Sequence, residues 1–435
     1  MSKLTKLVRT PRIFMRDALD KRYPLRKLRP KIKEANASEK PTAVLVGFSD
    51  WKSWMVDALP DYHVVFLGHS PRVADALLRA IPKFDDVTVF VWSYKYPDAL
   101  NEICAANNID MVYVEDGFIR SVGLGIKKSA PLSLVFDKSA MHFDRHRVSG
   151  LDRLLNTVEF SNEPDALGLA DRVITLAKSG VTKYISAESA DNIADHFYRE
   201  PGVRNILVLG QVEDDMSILC GMAKPMTGND FVRLVALNYP DANIFYRPHP
   251  EAIERRKKHY SNPNDVNGMC QIVGRRWSLN ETFQIVDEVH AMTSLAGFEA
   301  AIQGLEVHTY GMPFYAGWGF TTDHGPSDIA QKRQRSLSLR EVVAGAYVLY
   351  PQYFDPISQR PVPADRGIAM ADAMNRRLKH GMRVKAAMAA KPCVRNGSAQ
   401  TGPSELLPVN GSAIETPYIR TEQIVAAIRD AARRM

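Results

Sequence analysis

Strand-like and helix-like segments alternate through most of this chain, which predicts an α/β fold with two Rossmann-type domains facing a cleft. Two observations support that fold class. Short apolar runs such as IDMVYV (109–114) read as buried strands, and acids, glycines and prolines follow directly after the runs end. In open α/β sheets, ligands sit in the crevice beyond the carboxyl ends of the strands, so residues at strand tips occupy the positions where chemistry is carried.

In chain order, TAVLVGF (42–48), HVVFLG (63–68) and VTVFVW (87–92) read as the first three strands. IDMVYVED (109–116) ends in acids and SLVFD (133–137) is a further short run, and residues from about 163 to 200 carry a helical pattern, clearest in DALGLADRVITLAKSG. GVRNILVLGQ opens a second half with a strand ending at Gly210-Gln211, and DFVRLVALNYP supplies an amphipathic helix before ANIFY. FQIVDEVHA precedes a helix beginning near Ser294, and LEVHTYG continues the alternation. The expected organisation is a basic amphipathic arm (1–34), an N-terminal Rossmann-like domain (40–200), a C-terminal one (201–335) and a mostly helical return segment (336–390). A linker rich in Pro, Gly, Ser and Asn (391–417) and a closing amphipathic helix (418–435) complete the chain. No internal repeat is evident.

Composition narrows the functional classes. At 435 residues with 45% hydrophobic side chains, the chain has room for two ordinary domains. No run approaches a transmembrane span, and the first residues lack the apolar core of a secretory signal. Cys104, Cys220, Cys270 and Cys393 are scattered with no CxxC and no clustered histidine, which suits reduced thiols in a cytoplasmic protein rather than disulfides or a zinc site. The formal charge is +7, yet residues 1–34 alone carry twelve Lys and Arg against three acids, so the remainder is close to neutral. That distribution argues against a nucleic-acid surface on the folded part, and no RNA-binding aromatic module is present. The basic arm, interleaved with Leu4, Leu7, Val8, Ile13, Phe14, Met15 and Leu19, suits either an anionic inner-membrane surface or a solvated or docked extension.

Five motifs carry the chemistry. In VEDGFIRSVGLG (114–125), Glu115 and Asp116 stand at a strand tip, Gly117 allows a sharp turn, and Arg120 and Ser121 share the loop. QVEDD (211–215) places Glu213, Asp214 and Asp215 after the strand of the second half, where an acidic cluster also suits a helix start. In RPHPE (247–251), two prolines restrict the backbone around His249 and present it rigidly. In MTSLAGFEA (292–300), Thr293 and Ser294 read as a cap and first turn whose amides and dipole suit phosphate, with Glu299 placed for ribose hydroxyls or for the surface. TYGMPFYAGWGFT (309–321) adds Tyr315 and Trp318, which can stack on a ligand or pack their loop.

Taken in this order, these segments, with PLSLVFD (131–137), closely resemble the KpsC-family retaining β-Kdo transferases of capsule assembly over about residues 44–323. The acidic-acidic-Gly and His-Pro pair is also similar to the signature of bacterial sialyltransferases, which likewise use CMP-activated sugars. The resemblance implies a GT-B glycosyltransferase taking CMP-β-Kdo as donor and a glycan or lipid-linked acceptor, with no metal and no other cofactor. Partners in capsule assembly and a place on the inner-membrane surface are implied in the same way. EDG and HP each occur once, so the chain resembles a single module where well-known members carry two.

Retention of configuration implies a nucleophile, assigned to Asp215 with Asp214 as its alternate; Glu115 is expected to act as acid/base with Asp116 orienting it or the loop, and either acid of the pair could be the base. Arg120 would grip the sugar carboxylate, with Ser121 and Gln211 beside the substrate. His249, Thr293 and Ser294 would neutralise the single departing phosphate, and no DxD-type element stands out as a metal site. The competing readings are another CMP-sugar transferase and a non-catalytic scaffold of a capsule-assembly complex.

Overall fold

The computed structural model describes residues 28–66, 78–122, 131–180, 184–185, 191–250, 261–326 and 328–389. Most of the expected basic arm (1–27), Gly123–Gly125 of the first motif, Glu251, the 391–417 linker and the 418–435 helix lie outside these residues. Residues 28–34 of the arm begin a helix over 28–36, and Leu28 and Ala35 are buried in the core of the first sheet. Among the described residues, those up to Asp372 form one compact unit containing both main sheets, and those from Ala373 on belong to a second.

The first half contributes β1 (Thr42–Val46), β2 (His63–Phe66), β3 (Val87–Trp92), β4 (Asp110–Asp116), β5 (Ser121–Val122), β6 (Ser133–Asp137) and β7 (Tyr184–Ile185). The second half contributes β8 (Asn205–Leu209), β9 (Asn243–Arg247), β10 (Gln271–Ile272), β11 (Glu288–Ala291), β12 (Glu306–Thr309) and β13 (Thr322–Asp323). The chain then returns through β14 (Pro351–Phe354) and β15 (Pro361–Val362) before the long Ala364–Ala389 helix.

The first sheet has the order β15-β14-β6-β4-β3-β1-β2, with β1 to β4 parallel and β6, β14 and β15 successively antiparallel. Alternate residues on its parallel strands feed two cores: Val44, Val46, Val89 and Val91 point to one, and Ala43, Leu45, Phe90 and Trp92 to the other. That double burial explains why these strands are apolar throughout rather than alternating. The second sheet is all parallel in the order β10-β9-β8-β11-β12-β13. Numbered within its own half this is 3-2-1-4-5-6, the doubly wound Rossmann order, and its topological switch lies between β8 and β11.

The return segment is mostly helical, as expected, but includes one pair of strands. Residues 339–349 are helical and 364–389 form a long helix, but residues 351–362 form a hairpin that extends the first sheet. Prolines at 351, 356, 361 and 363 mask the strand character in the sequence, and Pro351 and Pro361 are tolerated because each opens its strand. No helix of the described residues is long and apolar enough to cross a membrane. Cys104 and Cys270 are buried free thiols, both pushed up to about 11 by burial.

Candidate active site

The acids at the tip of β4 are held by their own loop. Asp116 Oδ2 accepts from Arg120 Nε at 2.7 Å, and Asp116 Oδ1 is buried with no hydrogen-bond partner among the described residues. Glu115 Oε1 accepts from the Asp116 amide at 3.0 Å. Glycine at 117 is required by close approach, since a Cβ there would lie 2.1 Å from Ser133 Oγ. Arg120, expected to grip a sugar carboxylate, is fully buried with its Nε engaged by Asp116, so it positions that acid rather than facing a ligand. Ser121 falls in β5, whose backbone pairs with Tyr184.

Lys52, in the Asp50–Lys52 turn just beyond β1, belongs with this pair and was missed by sequence reasoning. It is 5% exposed, with its amine over the Trp92 ring, and burial pushes it down to about 7 against the Asp116 and Glu115 charges that raise it. The signal available was a lone lysine in FSDWKSW, flanked by aromatics directly after the first strand.

At the switch point of the second sheet, Gln211 after β8 joins Thr293 after β11. Gln211 Oε1 accepts from the Thr293 amide at 2.9 Å, and its Nε2 donates to Thr293 Oγ1 at 3.0 Å and to Ser217 Oγ at 3.3 Å. The side-chain amide of Gln211 therefore latches the two strand tips together. Ser294 caps the Leu295–Gln303 helix, its hydroxyl accepting from the Ala296 amide at 3.3 Å. The half-buried His249 follows β9, and its backbone packs so close to β8 that a Cβ on Gly210 would lie 3.1 Å from the His249 nitrogen. His249, Gln211, Thr293 and Ser294 thus share the carboxyl edge of one sheet. A shallow concavity lined by Phe197, Arg204, Asn205 and Asp287 lies at the opposite, amino edge.

The three acids of QVEDD have separate fates. Glu213 binds the Gly228 amide at 3.1 Å and both the amide and hydroxyl of Ser261, which makes it a loop fastener. Asp214 is exposed. Asp215, also exposed, caps the Met216–Gly221 helix, Oδ1 accepting from the Ser217 amide at 2.8 Å and the Ser217 hydroxyl at 2.6 Å. That helix is shared between the halves: Ile218 belongs to the second core, while Met216 and Cys220 pack against the first.

The GMPFYAGWG loop joins the halves from the other side. Phe118 of the EDG loop packs on Phe314 with ring centroids 4.5 Å apart. Tyr315 and Trp318 are fully buried; the Tyr315 hydroxyl donates to the Ser294 carbonyl at 2.6 Å and Trp318 Nε1 to the Phe314 carbonyl at 2.8 Å. Both aromatics pack the loop and neither is presented for stacking on a ligand. Glu299 is 6% exposed and its charge acts on the buried phenols Tyr315 and Tyr347, so it is not a surface residue.

Gly297 lies directly under this arrangement, and a Cβ there would stand 2.2 Å from Tyr315 Oη. Gly297→Ala is expected to displace the phenol from the Ser294 carbonyl and to cost about 1–3 kcal/mol, read as a lower urea midpoint at unchanged slope. An unaltered midpoint would show that the Tyr315 contact does not set the position of the loop.

The family model for capsule polysaccharide biosynthesis proteins matches residues 165–353. The lipopolysaccharide-processing protein LpsZ of Rhizobium meliloti is 35% identical over 326 residues, 74% of this chain and 72% of LpsZ. This chain belongs to the capsule polysaccharide biosynthesis family. Within that family it is also 31% identical over 339 residues to the capsule polysaccharide modification protein LipA of Neisseria meningitidis serogroup A, covering 77% of this chain but about half of LipA, 46%. Among solved structures, the β-Kdo 2,4-transferase of KpsC from Thermosulfurimonas dismutans superposes with a TM-score of 0.61 at 28% identity, over 76% of this chain and 98% of that one. The β-Kdo 2,7-transferase of the same KpsC gives a TM-score of 0.57 at 30% identity, over 76% and 97%. The likeness to the KpsC family expected from the motifs is therefore present, and the two Rossmann-type sheets of this family member form a GT-B-like fold.

Proposed function

We propose that this chain is a retaining glycosyltransferase that moves Kdo from CMP-β-Kdo to a glycan or glycolipid acceptor, building the β-Kdo linker of a capsular polysaccharide. The observation that carries this reading is the placement of Gln211, Thr293, Ser294 and His249 at one Rossmann carboxyl edge, in a chain similar to both KpsC transferases. The amides that begin the Leu295–Gln303 helix, with the dipole behind them, receive the CMP phosphate. His249 contacts or protonates the same phosphate as it departs. No step in this scheme uses a metal.

In the first displacement an Asp215 carboxylate oxygen bonds to the anomeric carbon as the bond to phosphate breaks, and CMP takes the electron pair. In the second, the acceptor oxygen bonds to that carbon, the bond to Asp215 breaks, and Glu115 takes the acceptor proton. Asp116, fixed by Arg120, orients Glu115 through the backbone amide that Glu115 Oε1 accepts from. Asp214 is the alternate nucleophile.

Incubating the purified full chain with CMP-β-Kdo and a synthetic β-Kdo acceptor is expected to release CMP and lengthen the acceptor by one Kdo, read by mass spectrometry. CMP-sialic acid under the same conditions is expected to give no product. Product from the sialyl donor alone would assign the chain to another CMP-sugar class, and product from neither would overturn the transferase reading.

A further inference from the structure

Two tripeptides of identical sequence, Glu288-Val289-His290 and Glu306-Val307-His308, lie on adjacent parallel strands in exact register, Glu288 beside Glu306 and His290 beside His308. Residues two apart on a strand share a face about 6.6 Å apart, and neighbouring strands are about 4.8 Å apart, so two carboxylates and two imidazoles start from the corners of one small rectangle. The copies are offset by eighteen positions in sequence, which hides the grouping until β11 and β12 pair.

The side chains converge. His290 Nε2 lies 2.5 Å from Glu288 Oε1, and His308 Nε2 lies 3.9 Å from the same oxygen and 3.0 Å from Glu306 Oε1. The two imidazoles stack at 4.5 Å with their planes 8° apart. Glu288 and His290 are 1% and 0% exposed and His308 is 5% exposed, whereas the Glu306 side chain, at 55%, opens the group to solvent.

What distinguishes this group from an ordinary buried His–Glu pair is the engagement of the outward atoms. Glu288 Oε2 accepts from Arg204 Nη1 at 2.8 Å, leaving Oε1 turned inward. His290 Nδ1 meets the Tyr310 hydroxyl at 3.0 Å, leaving Nε2 inward. His308 Nδ1 meets His324 Nε2 at 2.9 Å and the Tyr239 hydroxyl at 3.4 Å, again leaving Nε2 inward. Metal-binding histidines characteristically hold their second ring nitrogen in this way, which fixes the tautomer and the ring orientation.

We propose that Glu288, His290 and His308, completed by Glu306, form a binding site for one divalent transition-metal ion of the zinc class. Two imidazoles and two carboxylates suit Zn²⁺ in tetrahedral coordination, where ligand atoms stand about 3.4 Å apart. The separations of 2.5, 3.0 and 3.9 Å bracket that value, so side-chain adjustment of about 1 Å brings them to it. The ion replaces the proton that otherwise bridges His290 Nε2 and Glu288 Oε1. It joins β11, whose tip carries Thr293 and Ser294, to β12, and so fastens two strands of the sheet that bears the switch-point residues. The proposal does not depend on the transferase reading.

The test uses the purified full chain stripped with chelator, titrated with Co²⁺ and then Zn²⁺. One Co²⁺ per chain with intense tetrahedral d–d bands is expected, with displacement by Zn²⁺ and a rise in Tm on Zn²⁺ addition. His308→Gln and Glu306→Gln are each expected to weaken Co²⁺ binding at least tenfold. No visible band and no shift in Tm with the wild-type chain would overturn the proposal, as would equal binding by the wild type and both variants. The wild-type titration decides the matter if a variant does not fold.

Discussion

Asp215→Asn is expected to yield a folded protein that transfers no Kdo. Asparagine and aspartate are comparable N-caps, so the bonds to the Ser217 amide and hydroxyl survive, and stability should change by less than about 0.5 kcal/mol. An amide is no nucleophile, and the loss in kcat should be on the order of 10³-fold or more. Because Oδ1 makes both cap bonds, Oδ2 is the oxygen assigned to the sugar. Intact-mass analysis after CMP-β-Kdo should show a Kdo adduct on a slow-turnover Glu115→Gln variant and none on Asp215→Asn. Full activity in Asp215→Asn together with its loss in Asp214→Asn would move the nucleophile one residue back. Asp215→Ala is less informative, since losing the cap alone costs about 1 kcal/mol.

The largest stability effect is expected at Asp152. Its side chain is 3% exposed and closes the capping box of the Gly150–Thr157 helix with Ser149. It also lies 3.0 Å from Lys332 Nζ and 3.4 Å from Arg333 Nε, both cations buried. Asp152→Ala would leave two uncompensated buried charges, and a loss of about 3–5 kcal/mol is expected by chemical denaturation. Burial raises the Asp152 pKa, but the Arg333 and Lys332 charges and the Ser149 bonds outweigh it and hold the carboxyl below its ordinary value. A depressed carboxylate stabilises fully above its unfolded pKa of about 4, and that contribution fades as pH falls through the lower folded value. The wild type should therefore lose stability in that acidic window more steeply than Asp152→Ala. Parallel acid limbs in the two proteins would show that the cluster is not the source.

Much of the fold was legible because the relevant signals are local. The apolar runs ending in Gly210-Gln211, in RPHP and in MTSL are parallel strands, and their tips do carry the residues singled out. What the sequence concealed depends on tertiary pairing. The 351–362 hairpin exists because β6 offers an edge for β14, and proline-rich local sequence outweighs that signal. Tyr315 and Trp318 could equally have faced a ligand, and only tertiary packing, of Tyr315 on Phe298 and of Trp318 under Arg333, makes them interior. Among Glu213, Asp214 and Asp215, spacing cannot say which carboxylate ties the loop to Ser261 and which caps the helix. Lys52 was hidden for the same reason, since its partners come from β4, about sixty residues further along.

The Met216–Gly221 helix has a mechanical consequence. It is about 1.7 turns long, and its side chains are divided between two hydrophobic cores. A rotation of one half against the other cannot leave it behind in either; it must turn with the motion or shear one of its contacts. In the proposed mechanism the Asp215 carboxylate at its N-cap would move with the halves, so that donor capture and alignment of the attacking oxygen would be one event rather than two. Met216 and Cys220 would then set that alignment through their packing on the first core, and substitutions there are expected to register as altered turnover in a protein whose ligand contacts are intact.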